Sequence, residues 1–223
     1  MADDERLDVL GIGNAIVDVL SHTDDAFLER EGLTKGTMAL IDADAADRLY
    51  ERVGPSVEVS GGSCANSIAG AASLGSKVAY VGRVRDDLLG RVFTHDIRAA
   101  GVEFTTAAAT EGPGTARCLV LVTPDAQRTM CTYLGASVGL GPGDIDRDLV
   151  ARASITYLEG YLWDPPAAKE AFRAAIGAAR AAGRRVALTL SDPFCVERHR
   201  EEFLALVDDG VDILFANHDE ITA

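Results

Sequence analysis

Short apolar runs alternate with amphipathic stretches along most of the chain. The runs are "LDVLGI" from Leu7, "KVAYVGRV" from Lys77, "SITYLEG" from Ser154, "RRVALTL" from Arg184 and "VDILFA" from Val211. Each is short and rich in β-branched residues, the pattern of a strand buried on both faces. Between them the period becomes helical. Leu88, Leu89, Val92, Phe93 and Ile97 recur at helical spacing, and Gly101 follows as a stop signal. Residues 166–182 are Ala-rich, with Phe172 and Ile176 four apart, and 196–207 form another helix. Strand, helix and strand in alternation predict right-handed βαβ units and a mostly parallel sheet with helices on both faces.

Two regions break the alternation. Residues 116–134, "ARCLVLVTPDAQRTMCTYL", read as two strands around a Pro-Asp turn, an antiparallel hairpin. Residues 19–60 contain "GLTKGTMALID", a turn with a short strand, and "DADAADRLYERV", a helix. Both regions are expected outside the main sheet. Together they would form a small β lid, inserted at about residues 19–60 and 102–134 into one α/β domain spanning 1–223.

Composition narrows the function classes. The 223 residues are 48% hydrophobic and 25% charged, enough for a sizeable core and against disorder. With 21 basic and 35 acidic residues the formal charge is −14. Such a surface repels a phosphate backbone, so no nucleic-acid partner is expected, although a site can be locally positive for a small anion. No apolar run is long enough to span a bilayer, and "MADDERLDVLG" lacks a signal-peptide pattern, so a cytoplasmic protein with no membrane contact is expected. Cys64, Cys118, Cys131 and Cys195 form no C-x-x-C pair and read as reduced thiols. His22, His95, His199 and His218 are scattered, with no metal-ligand spacing.

The unusual stretch is "GGSCANSIAGAASLG", residues 61–75. Twelve of its fifteen residues are Gly, Ala, Ser or Cys; Asn66, Ile68 and Leu74 are the exceptions. Two glycines before a helical pattern let backbone approach a ligand, and a helix start points free N–H groups outward. The same residues also fit a tight helix–sheet contact with Ser63 as N-cap. "GIGNAI" at Gly11 is not a dinucleotide fingerprint, because Ile16 replaces the third glycine, and no P-loop pattern occurs.

"GGSCANSIAGAASLGSKVAYVGRVRDDLLGRVF" resembles the N-terminal signature of the PfkB, or ribokinase-like, kinases. The matching positions are Gly61, Gly62, Asn66, Leu74-Gly75, Gly82 and Asp87 to Gly90. "GIGNAIVDVL" is similar to the family's first strand, with Asn14 and Asp18 in sugar-binding positions. "LTLSDPF" and "VDILFANHDE" resemble the adenosine-kinase branch.

The resemblance implies a ribokinase-like fold and an ATP- and Mg2+-dependent kinase of a nucleoside, adenosine favoured, or a sugar. Asp18, Asn14, Asn66, Gly61 and Gly62 would hold substrate hydroxyls. Met38, Leu40, Leu134, Tyr161 and Leu162 would flank its apolar part. Arg128 would contact phosphate, Asn217 and Glu220 would organise Mg2+ through water, and a homodimer could form through the lid. Two departures stand out. Arg85 replaces a common Gly, near the substrate mouth or paired with Asp86. The family's Asp-Thr-x-Gly-Ala-Gly-Asp segment, with its catalytic base and anion hole, is absent from 1–223 and expected beyond Ala223. The alternative is a non-catalytic nucleoside- or sugar-binding fragment lacking the base and anion hole, and residues 1–223 alone are expected to bind acceptor weakly without phosphorylating it.

Overall fold

The structure is a computed structural model and describes residues 6–223. In chain order the strands are β1 (Leu7–Ile12), β2 (Ile16–His22), β3 (Met38–Leu40), β4 (Ser56–Gly61), β5 (Val78–Val81), β6 (Glu103–Phe104), β7 (Ala116–Val122), β8 (Arg128–Tyr133), β9 (Ala153–Glu159), β10 (Arg185–Thr189) and β11 (Ile213–Phe215). The helices are α1 (Asp25–Arg30), α2 (Ala43–Tyr50), α3 (Ser63–Ser73), α4 (Leu88–Ala99), α5 (Arg147–Arg152), α6 (Pro166–Ala181), α7 (Pro193–Asp209) and α8 (His218–Thr222).

The strands form two sheets. The main sheet has the order β11-β10-β9-β1-β5-β6, and every neighbouring pair in it is parallel. One face carries Leu10, Ile12, Leu158 and Leu188, packed on Leu149 of α5, Phe172 of α6 and Phe203 of α7. The other carries Val78, Tyr80 and Phe104, packed on Ile68 of α3 and Phe93 of α4. The second sheet has the order β3-β8-β7-β2-β4. Its outer face buries Leu119, Leu121 and Cys131 against Phe27 and Leu28 of α1 and Leu49 of α2. The hairpin β7–β8 lies here, outside the main sheet, as its antiparallel pattern predicts.

Three boundaries differ from the sequence reading. The second sheet begins at Ile16, because the chain leaves β1 at Ile12 and crosses over at Gly13–Ala15; the stretch read as one strand is therefore two. The segment 102–134 contributes β6 to the main sheet, where Phe104 stacks edge-on against Phe93 at 5.4 Å between ring centres. The last long helix starts at Pro193, three residues earlier than its periodicity suggests, because Asp192 caps it by accepting the Cys195 N–H at 2.6 Å.

Aspartate caps recur. Asp24, Asp42, Asp87 and Asp146 each accept a first-turn N–H of the helix that follows. Asp87 does more: it takes the Gly90 N–H at 2.8 Å and the Thr115 N–H and Oγ1 at 2.9 and 2.7 Å. It thus ties α4 to the strand entering the second sheet. Asp87→Ala should cost about 1–2 kcal/mol in denaturant unfolding through the lost cap alone, and should raise hydrogen exchange at Thr115. An unchanged midpoint would show that the tie contributes nothing.

Candidate functional site

All six main strands end at the same edge, where the strand order reverses between β1 and β9. Ligands bind at such a switch point in open α/β sheets. Here the two sheets also meet. The chain passes outward at Gly13–Ala15, between β1 and β2, and returns through Gly61 and Gly62, between β4 and α3.

The register explains the two glycines. Ile16 pairs with Gly61 and Asp18 with Val59 in the antiparallel β2–β4 ladder. A Cβ on Gly61 would fall 2.3 Å from the Asp18 carboxyl, and one on Gly62 would fall 2.5 Å from the Asn14 carbonyl oxygen. Gly62 also has φ +99°, which side chains rarely adopt. Asn14, Asp18, Gly61 and Gly62 are thus brought together. Gly62, not Ser63, is the N-cap residue, and it supplies no side-chain cap. Asn66 lies one turn into α3, its N–H donating to the Gly62 carbonyl at 2.9 Å and its side chain exposed.

Beneath this cluster is a residue that the motifs did not reveal. Glu159, at the end of β9, is 1% exposed. Its Oε2 accepts the Asn14 N–H at 2.8 Å, and its carboxyl also accepts the backbone N–H of Cys64 in the first turn of α3. Gly13 makes room for it, since a Cβ there would lie 2.0 Å from Oε2. Burial pushes the Glu159 carboxyl up to about 7, against the pull of these two donors. Burial likewise raises the half-buried Asp18 to about 6. The only sequence signal for Glu159 was an acidic residue closing an apolar strand just before Gly160.

The inner face of the second sheet continues the site. One cross-strand row runs Leu40, Thr132, Cys118, Asp18, Val59. Three strand spacings separate Leu40 from Asp18, about 14 Å. Leu40 and Leu134 line a cavity of about 300 Å³ with Ile41, Pro113, Thr132, Tyr133, Gly135 and Val138. Met38 adjoins on β3, 44% exposed.

Other predicted positions fall elsewhere. Leu162 is 1% exposed and belongs to the main core, because the turn after β9 folds it under α6. Tyr161 is half-buried beside Asp192, where burial raises its phenol. Arg128 shares the inner face but begins β8, four residues from Thr132, about 13 Å along the strand. Arg85 does not pair with Asp86; it donates to the Gly112 carbonyl at 3.1 Å, and Arg91 pairs with Asp86 at 3.5 Å instead. Asn217 and Glu220 cap α8 reciprocally: Asn217 Nδ2 donates to Glu220 Oε1 at 2.7 Å, and the Asn217 N–H to Oε2 at 3.2 Å. Each Glu220 carboxylate oxygen thus accepts one hydrogen bond from Asn217 and keeps further lone pairs. Among the described residues no group of three or more His, Cys, Asp or Glu could hold a metal ion.

Residues 36–223 match the model of the pfkB family carbohydrate kinases. The chain belongs to the PfkB family. Among solved PfkB-like structures, adenosine kinase from Sinorhizobium meliloti superposes with a TM-score of 0.89 at 57% identity, over 96% of this chain and 66% of that one. A probable sugar kinase from Rhizobium etli gives 0.89 at 54% identity, with the same coverage. Guanosine-inosine kinase of Escherichia coli (strain K12) is 28% identical over 96% of this chain and 52% of its own length. The chain thus spans about half of that curated relative. The fold is that of these kinases: a parallel α/β sheet with a small second sheet.

Proposed function

We propose that the protein is an ATP-dependent kinase that phosphorylates a hydroxyl of a nucleoside, with adenosine favoured. The observation that carries the reading is the row across the second sheet. It sets a carboxylate, Asp18, about 14 Å from the apolar wall of Leu40 and Leu134. A free sugar occupies one end of such a cleft; a ribose with an attached base reaches both. The 57% identity to an adenosine kinase supports the same choice.

In this reading Asp18 accepts hydrogen bonds from the vicinal ribose hydroxyls, offering several lone pairs in a fork. Asn66 adds a donor and an acceptor from α3. Gly62 provides no side-chain cap, Glu159 takes the Cys64 N–H and the Gly62 carbonyl takes that of Asn66, so the Ser63 and Ala65 amides of the first turn of α3 face the same hydroxyls. Met38, Leu40 and Leu134 take the base, and the second sheet shields the acceptor from water. ATP, when bound, supplies the phosphoryl group, and Mg2+ offsets its charge. No step is assigned to Asn217 and Glu220, which hydrogen-bond to one another.

The test is a panel of adenosine, guanosine, inosine and ribose with labelled ATP and the full-length protein, alongside calorimetric binding of each. Phosphorylation of adenosine ahead of the others is the expected result. Phosphorylation of ribose alone overturns the nucleoside reading. Tight adenosine binding with no product from any acceptor assigns the non-catalytic binder.

A further inference from the structure

Along the flank of α4, next to its core-facing side, lies a groove of about 690 Å³. It is lined by Arg85, Arg91, His95 and Arg98, with Asp86 as its single acidic wall residue, and by Gly90, Thr94, Ala99 and Ala108. Four of nine lining residues are Arg or His in a chain of net charge −14, so the local sign opposes that of the whole molecule.

We propose that this groove binds a small molecule carrying two or more phosphate groups, at a site separate from the acceptor cleft. Three features carry the proposal. First, the basic side chains come from both walls. Arg91, His95 and Arg98 stand at i, i+4 and i+7 on α4, hence on one face and about 10 Å from first to last. Arg85 comes from the loop after β5. Second, two guanidiniums are set in place by backbone. Arg98 donates from Nε and one terminal nitrogen to the Phe104 carbonyl at 2.9 and 2.6 Å, and Arg85 donates to the Gly112 carbonyl. Each keeps further N–H groups, because a guanidinium has five. Third, the nearby acids are partly engaged. Asp86 pairs with Arg91 at 3.5 Å, and Asp96 meets His95 Nδ1 at 3.0 Å while its other oxygen accepts the Ser60 N–H.

The length of the row selects the ligand class. A lone phosphate reaches one end of it. A chain of phosphates follows it from Arg85 and Arg91 toward Arg98, and Arg suits phosphate oxygens in two-pronged contacts. Small groove-floor residues leave room for that approach. The Asp96–Ser60 bond joins α4 to β4, one residue before Gly61 of the acceptor cleft.

The experiment is calorimetric titration of the protein with inorganic phosphate, pyrophosphate and tripolyphosphate at low and moderate salt. Affinity should rise in that order and fall with salt. Arg91→Ala should weaken tripolyphosphate about tenfold, and Arg91→Glu more. Asp86→Asn should tighten it, and Asp18→Asn should leave it unchanged. Arg91 is exposed and anchors no backbone group, so its variants should melt as the wild type does. Absence of binding by wild type at millimolar tripolyphosphate overturns the proposal. So does binding that survives Arg91→Glu intact, or that disappears with Asp18→Asn, since either places the anion elsewhere.

Discussion

Between about pH 4 and about pH 8, the wild-type protein should lose about 3 kcal/mol of stability relative to Glu159→Gln. Burial raises the Glu159 carboxyl from 4.5 to about 7. Each tenfold change in proton affinity is worth about 1.4 kcal/mol. The sign follows from proton counting. Between those two values the folded protein holds a proton that the unfolded chain has released. Stability therefore falls as pH rises through that window and levels above it. Asp18, raised from 3.8 to about 6, adds a change of the same sign at the lower end in both proteins and cancels in the comparison. Glutamine has no proton to lose, so the variant lacks the slope contributed by Glu159. It can also lose one acceptor for the N–H groups of Asn14 and Cys64, which offsets its stability by a constant amount. The difference between the curves, measured by guanidinium unfolding at several pH values, is thus the test. A difference that stays constant with pH would mean that Glu159 titrates as an ordinary carboxylate.

Asp18→Asn should weaken acceptor binding by about 1.5–3 kcal/mol, roughly 10- to 150-fold. The substitution keeps the shape and removes the charge that strengthens each hydroxyl contact. Below about pH 6 the wild type should approach the variant, because protonation of Asp18 does what the amide does permanently. Calorimetry with adenosine at about pH 5 and about pH 8 reads both effects. Equal affinity of variant and wild type at the higher pH would remove Asp18 from the site.

Both residues sit at the same sheet edge, yet only Asp18 could be read from the sequence. Asp18 belongs to a motif together with Gly61 and Gly62, and the β2–β4 register shows why: the carboxyl occupies the space a Gly61 side chain would need. Glu159 is written as a polar end to an apolar strand. Its burial depends on Asn14, 145 residues away, and on the helix start at Cys64, so no local pattern encodes it. The strand–helix alternation was legible because both faces of the main sheet are covered and its strands are continuously apolar. The two-residue β6 was not, because its place is fixed by Phe104 stacking on Phe93 rather than by any run. Leu162 illustrates the reverse error: an apolar residue near a site motif turned out to be core, because the 3₁₀ turn Gly160–Trp163 rotates it inward.

The central position of β1 carries a consequence for biosynthesis. β1 leaves the ribosome before either of the strands that flank it, β5 on one side and β9 on the other, with Leu7 opposite Ala153. At about 5–20 residues per second, roughly 7–30 s pass between translation of β1 and of β9. During that interval one edge of β1 presents unpaired backbone groups and Leu10 and Ile12 lack their partners on β9 and α6. Nascent chains arrested before residue 153 should therefore recruit holdase chaperones, and release should coincide with exposure of β9 from the exit tunnel.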